Sequence, residues 1–330
     1  MKRNVLVLLA GLFVLDRPGL AVADELKGAG KPAIKKEAAT PFLRIRRDKQ
    51  GEPLALETAV VRYRPALREG DVAIDLVSVV HLGERHYYQK LNDLFEDYDV
   101  VLYELVAEKG TRIPKGGRSS TSNPLAMVQR IASTVLDLES QTSLIDYTAK
   151  NFVHADLSPD EIAETVKKRG DDGLTIALSV AVDLLRQQNL KAQEPDRRPA
   201  RSFSEDASDL MSLLTDSAAP SKLKRLMAEQ LAAMGSPEGG LGKTLNTILI
   251  TDRNKAAMKV LHKELARGKK KIAIFYGAGH MADFEARLRE ELDLRPASSQ
   301  WHEAWDLRLR ERGLEEVLLR FLVEQMTRRK

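Results

Sequence analysis

The sequence contains no cysteine, and this absence excludes several kinds of site at once. Disulfide bridges, thiolate metal sites, a cysteine nucleophile and a lipoprotein-type lipid anchor all require that side chain. Any metal bound by the chain must therefore be held by His, Asp or Glu. A strong net charge is also missing: the formal charge is +4, and Lys2, Arg3 and Arg17 supply much of the positive excess. A charge this small is not typical of a dedicated nucleic-acid binder, so we expect no nucleic-acid partner.

Long apolar runs are scarce as well, and the clearest one belongs to a predicted signal peptide over residues 1–23. Lys2 and Arg3 form a charged start, Val5–Leu15 is apolar, and Ala21–Ala23 is a small-x-small cleavage site. The alternative is an uncleaved anchor, but the run is too short to span a bilayer and charged residues follow it. We therefore expect an exported protein, periplasmic or secreted, with no transmembrane segment after signal removal.

The rest of the chain has the alternation of strands and helices that is typical of an α/β domain. Residues 24–50 are predicted to form a flexible leader and residues 51–330 a single domain. Apolar runs over Val72–Val80 and Val100–Val106 predict strands buried on both faces, and Glu84–Tyr98 between them has helical spacing. Because strand, helix and strand of this length form a βαβ unit, we expect an α/β fold. Its central mixed or parallel sheet would be flanked by helices.

A large helical insertion is predicted in the middle of the domain, over about residues 124–235, where the pattern is mostly helical. We expect it to lie over or beside the sheet. The elements predicted after it are a helix over Leu241–Arg267, a strand over Lys271–Tyr276, a helix over Met281–Leu292, a closing strand over Ser298–Leu307 and an amphipathic helix over Leu314–Met326.

Three polar residues lie where predicted strands end. His81 follows the apolar run Leu76–Val80, Glu104 lies late in the next strand, and His280 follows the strand that ends at Tyr276. Because the carboxyl ends of parallel strands line the ligand crevice of open α/β sheets, we expect these residues to meet at one rim. Two imidazoles and a carboxylate form the ligand set of a hydrolytic metal centre with an open position for water.

Each of these residues also has a simpler structural interpretation. A single histidine at the end of a strand often does no more than satisfy its own hydrogen bonds. A carboxylate in an apolar strand is expensive to bury without compensation, and Glu104 could simply pair with Arg253 or another buried cation. The metal centre therefore depends on the three side chains being found together.

Neighbouring residues allow two interpretations each. Glu84 and His86 fit either groups that support the site or a solvated helix start. His154 is a candidate pocket residue, although capping of the next helix by Asp156 or Ser158 explains that segment equally well.

Two glycine-rich segments have the outline of nucleotide-binding motifs but fail on detail. Residues 239–244 end like a phosphate loop, but Pro237 occupies the position of its first glycine and no strand precedes it. Gly277–Ala282 matches the loose dinucleotide fingerprint and follows a strand, but the next candidate strand offers no acidic residue for a ribose. We therefore do not expect nicotinamide binding.

The same polar residues carry a resemblance to the TraB/PrgY/GumN (Tiki-like) family. The segment Val79–Tyr88, which includes His81, resembles the first motif of that family, and Val101-Leu102-Tyr103-Glu104 resembles its strand-borne glutamate motif. Arg253-Asn254 is similar to its Arg-Asn helix, and Tyr276–Met281 is similar to its Gly-x-Gly-His signature. One motif departs from the pattern, because the usual Gly-Thr-x-His opening is Ser-Val-Val-His here.

The resemblance implies an α/β core related to the erythromycin esterase-like and haem-uptake ChaN-like proteins. Animal Tiki members are metal-dependent proteases that favour manganese- or cobalt-type ions, so a divalent ion of that type, or zinc, is the implied cofactor. Carried over, His81, Glu104 and His280 would be metal ligands or catalytic groups. Arg253 and Asn254, which we count among the candidate catalytic residues, would support the ligands or bind the substrate. The residues expected to support the ligands or to line the pocket are His86, Tyr103, Gly277, Gly279 and His154.

The leading functional hypothesis is an exported metal-dependent hydrolase of the peptidase type, with a peptide or small-molecule substrate. Glu84 would then act as a general base, because a carboxylate beside activated water can relay its proton. The alternative is a non-catalytic protein that sequesters a peptide or signal on the same scaffold. A third hypothesis, haem or iron handling, follows from the ChaN-like relatives alone.

Overall fold

The computed structural model describes residues 40–65, 71–108, 110–111, 113–114, 136–168, 216–234 and 250–311. The predicted signal peptide, most of the predicted helical insertion, the segment 239–244 and the C-terminal amphipathic stripe lie outside these ranges. Within them, no helix has both the length and the apolar character needed to cross a membrane.

A seven-stranded mixed sheet forms the centre of the described structure. Six strands are ordered β1-β2-β3-β8-β5-β7, and β9 pairs with β2. The strands β3, β8, β5 and β7 are parallel to one another, whereas β1, β2 and β9 form antiparallel pairs. A separate two-stranded ladder pairs β4 with β6. The strands are β1 (Leu43–Arg47), β2 (Pro53–Pro65), β3 (Ala73–Val79), β4 (Leu82–Gly83), β5 (Val100–Tyr103), β6 (Glu139–Ser140), β7 (Phe152–His154), β8 (Lys271–Gly277) and β9 (Leu294–Asp306).

Helices cover both faces of the sheet. On one face, α1 buries Tyr87, Tyr88, Leu91 and Phe95, which recur at helical spacing along one side of the helix. On the other face, α5 and α6 contribute a second apolar cluster. The helices are α1 (Arg85–Phe95), α2 (Gln141–Leu144), α3 (Pro159–Lys168), α4 (Ala219–Met234), α5 (Asp252–Ala266) and α6 (Met281–Leu292), with a 3-10 turn over Ala278–His280.

The buried parallel strands at the centre of the sheet confirm the predicted α/β fold class. Every residue of β3 is buried, as are the five central residues of β8, because these strands have apolar layers on both sides. The pairing of β3 with β8 runs in register from Ala73–Lys271 to Val79–Gly277, so the two strands end together. Their carboxyl ends therefore lie at one edge of the sheet.

Two predicted boundaries require correction, and the predicted insertion contains a strand that was not expected. The leader predicted over 24–50 is wrong at its end, because Leu43–Arg47 pairs with β2 and already belongs to the sheet. The insertion, which was predicted to be mostly helical, also contains a strand, because Phe152–His154 forms β7 beside β5. The closing strand begins at Leu294 rather than at Ser298. In each case cross-strand pairing, which a single segment does not reveal, extends or creates the strand.

Candidate functional site

The carboxyl ends of β3, β5 and β8 bring His81, Glu104 and His280 together, and we call these three residues the rim cluster. A methyl group placed on Gly277 would lie 3.3 Å from Glu104 Oε2, 3.8 Å from His81 Nε2 and 3.9 Å from His280 Cδ2. Glu104 follows β5 directly, and His280 is reached through one 3-10 turn after β8. Residues that are far apart in sequence thus surround one point at the edge of the sheet.

Glu104 is the centre of this cluster, and both of its oxygens are held. Oε1 accepts a hydrogen bond from Arg253 Nη2 at 2.6 Å, and Oε2 accepts one from the Gly277 backbone N–H at 2.7 Å. His280 Nε2 lies 3.5 Å from Oε1. Burial disfavours the charged carboxylate, but His280, whenever its imidazole is protonated, and Arg253 outweigh this cost and hold the pKa of Glu104 well below its ordinary value. Glu104 is therefore an oriented carboxylate.

Arg253 is fixed at the start of α5 by a second carboxylate. Its Nε and Nη2 atoms donate to the two oxygens of Asp156 at 2.9 and 2.6 Å, and the Asp156 side chain has no exposed area. Asp156 follows β7, so four parallel strands contribute to this rim. The sequence indicated only a helix-capping role for Asp156, because its contact with Arg253 depends on the pairing of β7 with β5. With two carboxylates and one guanidinium, this part of the rim carries a net charge of −1.

His280 is held by Asn254, also in the first turn of α5. Asn254 Oδ1 lies 2.6 Å from His280 Nδ1, while its Nδ2 donates to the His280 carbonyl at 3.0 Å and to Asp283 at 2.9 Å. Asn254 is fully buried. It therefore orients the imidazole from behind and does not face the centre of the cluster.

His81 is held in a similar way by Gln141, a residue that the sequence did not predict at the site. Gln141 Oε1 lies 3.0 Å from His81 Nδ1, and Gln141 Nε2 donates to the Tyr147 hydroxyl at 2.8 Å. Gln141 is buried, whereas His81 is exposed. No local pattern marks Gln141, because the two residues meet only through the pairing of β4 with β6.

The structure does not bring Glu84 and His86 into the rim cluster. Glu84 Oε1 accepts hydrogen bonds from Lys224 Nζ at 2.8 Å and from the Asp306 backbone N–H at 2.7 Å. His86 is exposed and lies 3.4 Å from Glu84. Among the described residues, no hydrogen bond or ion pair joins either side chain to His81, Glu104 or His280. The prediction of Glu84 as a general base therefore has no geometric support, because Lys224 and a backbone N–H occupy its carboxylate.

The remaining predicted residues flank the cluster. His154 Nε2 donates to the Leu105 carbonyl at 2.6 Å, and its ring packs 5.6 Å from Tyr103. Burial raises the pKa of Tyr103. Gly279 lies apart, since a methyl group there would meet Ile250 at 3.9 Å.

Ser158 caps α3, the helix that follows His154, and it is one of the two capping residues predicted for this segment. Ser158 Oγ accepts a hydrogen bond from the Glu161 N–H at 3.1 Å, and Glu161 accepts one from the Ser158 N–H at 2.9 Å. This reciprocal pair is a capping box. Capping in this segment therefore belongs to Ser158, and Asp156 is free to hold Arg253.

The chemistry of the rim cluster fits a divalent cation. His280 Nε2 lies 3.5 Å from Glu104 Oε1, and His81 Nε2 borders the space beside Gly277. Imidazole and carboxylate are ligands for zinc, cobalt and manganese. The net charge of −1 on Glu104, Asp156 and Arg253 also favours a cation while the imidazoles are neutral. Within the described ranges, no group of three or more His, Asp or Glu side chains is already arranged to hold a metal. The side chains are therefore of the right chemical type to bind a metal, but Glu104 also accepts a hydrogen bond from Arg253.

Comparisons with known proteins identify no relative of this chain. No protein family model, no curated protein and no solved structure matches the chain. The resemblance to the TraB/PrgY/GumN family therefore stays a prediction that rests on the four motifs.

Proposed function

We propose that this protein is an exported, metal-dependent hydrolase that acts on peptides, with the rim cluster as its active site. The observation that carries the proposal is the convergence of His81, Glu104 and His280 around Gly277. Two imidazoles and one carboxylate are the donor set expected for such a site. The carboxyl edge of a parallel sheet is also its expected position. The resemblance to the TraB/PrgY/GumN family points to the same chemistry.

His81, Glu104 and His280 would hold the ion, of the manganese, cobalt or zinc type. When bound, such an ion supplies a Lewis acid for a carbonyl oxygen and makes water more acidic. The chain's own contribution is orientation. Arg253 and the Gly277 N–H each hold one oxygen of Glu104, at 2.6 and 2.7 Å, so the carboxylate has a defined position before substrate arrives.

Gly277 has a further role in this proposal, because its missing side chain leaves space beside Glu104 Oε2 and His81 Nε2. A substrate carbonyl needs room at this point to approach the cluster. Glu84 takes no part, since its carboxylate is bound by Lys224 and by a backbone N–H.

A second candidate function is a non-catalytic protein that binds a peptide or peptide signal at the same rim. The ion pair of Arg253 with Glu104 favours it, because an arginine at 2.6 Å satisfies the carboxylate without any metal. This candidate predicts peptide binding that chelators leave unchanged, which calorimetry measures directly.

The experiment is a peptide-library digestion with the mature protein, supplemented in turn with manganese, cobalt and zinc and then treated with a chelator. We expect cleavage that the chelator abolishes and that His280→Gln lowers by at least about a hundredfold. The matched control is His262→Gln, since His262 is exposed on α5 and its nearest partner is Glu291 at 3.4 Å. Full cleavage by His280→Gln, or cleavage that resists the chelator, would contradict the proposal.

A further inference from the structure

Gln141 reaches His81 across 60 residues of sequence through two independent contacts. Its backbone N–H donates to the His81 carbonyl at 2.9 Å, directly beside the β4–β6 ladder. Its side-chain oxygen lies 3.0 Å from His81 Nδ1. The backbone contact fixes the position of the Gln141 main chain beside His81. The side chain is therefore held against one particular nitrogen of the imidazole.

The contact between Asn254 and His280 shows how a buried carboxamide determines which imidazole nitrogen carries the proton. Asn254 Nδ2 donates to two oxygens, the His280 carbonyl and Asp283, so Oδ1 is the atom that faces His280 Nδ1. An amide oxygen only accepts, and His280 must therefore carry its proton on Nδ1. The lone pair of the neutral ring then lies on Nε2, which faces Glu104 at 3.5 Å. Arg253 Nη1, which is always a donor, also faces this atom at 3.5 Å.

Gln141 has a similar arrangement toward His81, but its amide nitrogen contacts the Tyr147 hydroxyl, where that of Asn254 contacts two oxygens. Gln141 Nε2 donates to the Tyr147 hydroxyl at 2.8 Å, which leaves Oε1 to face His81. Since a hydroxyl can donate as well as accept, the direction of this bond rests on the placement of Gln141 Nε2 toward Tyr147 and of Oε1 toward His81. Both histidines of the rim cluster are thus backed by a buried carboxamide at Nδ1.

We propose that Gln141 is a positioning residue that keeps the proton of His81 on Nδ1 and so presents the Nε2 lone pair to the space between Gly277 and Glu104. The use of that lone pair as a metal ligand rests on the proposed function; the proton position itself does not. In the other tautomer an N–H group would occupy Nε2 and repel a cation. Supporting partners of this kind typically change metal affinity by about 10- to 100-fold.

The test is long-range proton–nitrogen NMR of the metal-free protein at a pH above the ordinary histidine pKa of about 6.5. The chain has six histidines, and the spectrum of His81→Gln identifies the His81 ring by its loss. We expect a protonated Nδ1 in the wild type and in Gln141→Glu, whose carboxylate can only accept. In Gln141→Met the ring loses this preference and Nε2–H appears.

Asn92→Leu is the matched control for a purely structural effect. Asn92 anchors the same loop through the Leu144 carbonyl and the Asp146 N–H, and it has no hydrogen bond to His81 among the described residues. We expect Asn92→Leu to leave the His81 tautomer unchanged.

Calorimetric titration with manganese, cobalt and zinc then measures the consequence. We expect Gln141→Met to weaken binding by about 10- to 100-fold, and Gln141→Glu to restore it. Wild-type His81 with its proton on Nε2, or a wild-type ring spectrum in Gln141→Met, would overturn the role of Gln141. Absence of any metal binding by the wild type would instead refute the proposed function, and the NMR result would still decide the tautomer.

Discussion

Replacing Gly277 with alanine tests the rim cluster by adding a single methyl group. The methyl would lie 3.3 Å from Glu104 Oε2 and 3.8 Å from His81 Nε2, in the space where we expect an ion and a carbonyl oxygen to meet the chain. Glu104 would have to move by a few tenths of an ångström, although Arg253 and the Gly277 N–H hold its two oxygens.

The expected cost in stability is small. Gly277 has φ −54° and ψ 145°, a backbone conformation open to every L-residue, so alanine introduces no backbone strain. Alanine also lowers the entropy of the unfolded chain, which stabilises the fold by about 0.4–1 kcal/mol and offsets the crowding at Glu104. We expect the free energy of unfolding to change by no more than about 1 kcal/mol, and Tm by no more than about 4 °C.

The expected cost in function is large. A displaced carboxylate and a filled space should weaken binding of manganese or cobalt by about tenfold or more, with a matching loss of turnover. Calorimetric titration and thermal unfolding of the same samples separate the two effects. Gly279→Ala is the matched control, because its methyl would make only an ordinary contact with Ile250 at 3.9 Å. Wild-type metal binding and turnover in Gly277→Ala would refute the placement of the site.

Two further predictions concern groups outside the cluster. Glu84→Gln removes the negative charge that pairs with buried Lys224, although the amide oxygen can still accept a hydrogen bond. We therefore expect the free energy of unfolding in urea to fall by about 1–3 kcal/mol, while turnover per folded molecule stays unchanged. A large loss of turnover would restore Glu84 as a catalytic residue. Burial and the charge of Lys90 lower the pKa of His302, so the unfolded chain binds more protons below pH about 6.5 and stability falls with falling pH. His302→Leu should flatten that fall, and an unchanged slope would contradict this reasoning.

The positions of the site residues at strand ends could be predicted from the sequence because the strands themselves are clear. Continuous apolar runs identify β3, β5 and β8, and parallel strands end at a shared edge, so His81, Glu104 and His280 were expected at one rim of the sheet. The pairing of Glu104 with Arg253 was also among the alternatives, since a carboxylate in an apolar strand needs a cation.

The groups that hold these residues could not be predicted, because long-range pairing places them. The strand β7 has only three residues, and its pairing with β5 is what carries Asp156 to Arg253. Gln141 depends in the same way on a two-residue ladder. Glu84 shows the opposite error: its closeness to His81 in sequence suggested a shared role, but the chain turns into α1 and directs its carboxylate to Lys224.

The most direct test of the rim cluster as a metal site is elemental analysis of the mature protein, purified without chelator, beside the double variant His81→Ala/His280→Ala. We predict close to one transition-metal ion per chain in the wild type and its loss in the double variant, with both proteins folded. Absence of metal from the wild type, even after incubation with manganese or cobalt, would contradict the metal-dependent hydrolase. Equal metal content in the two proteins would show that the ion lies elsewhere.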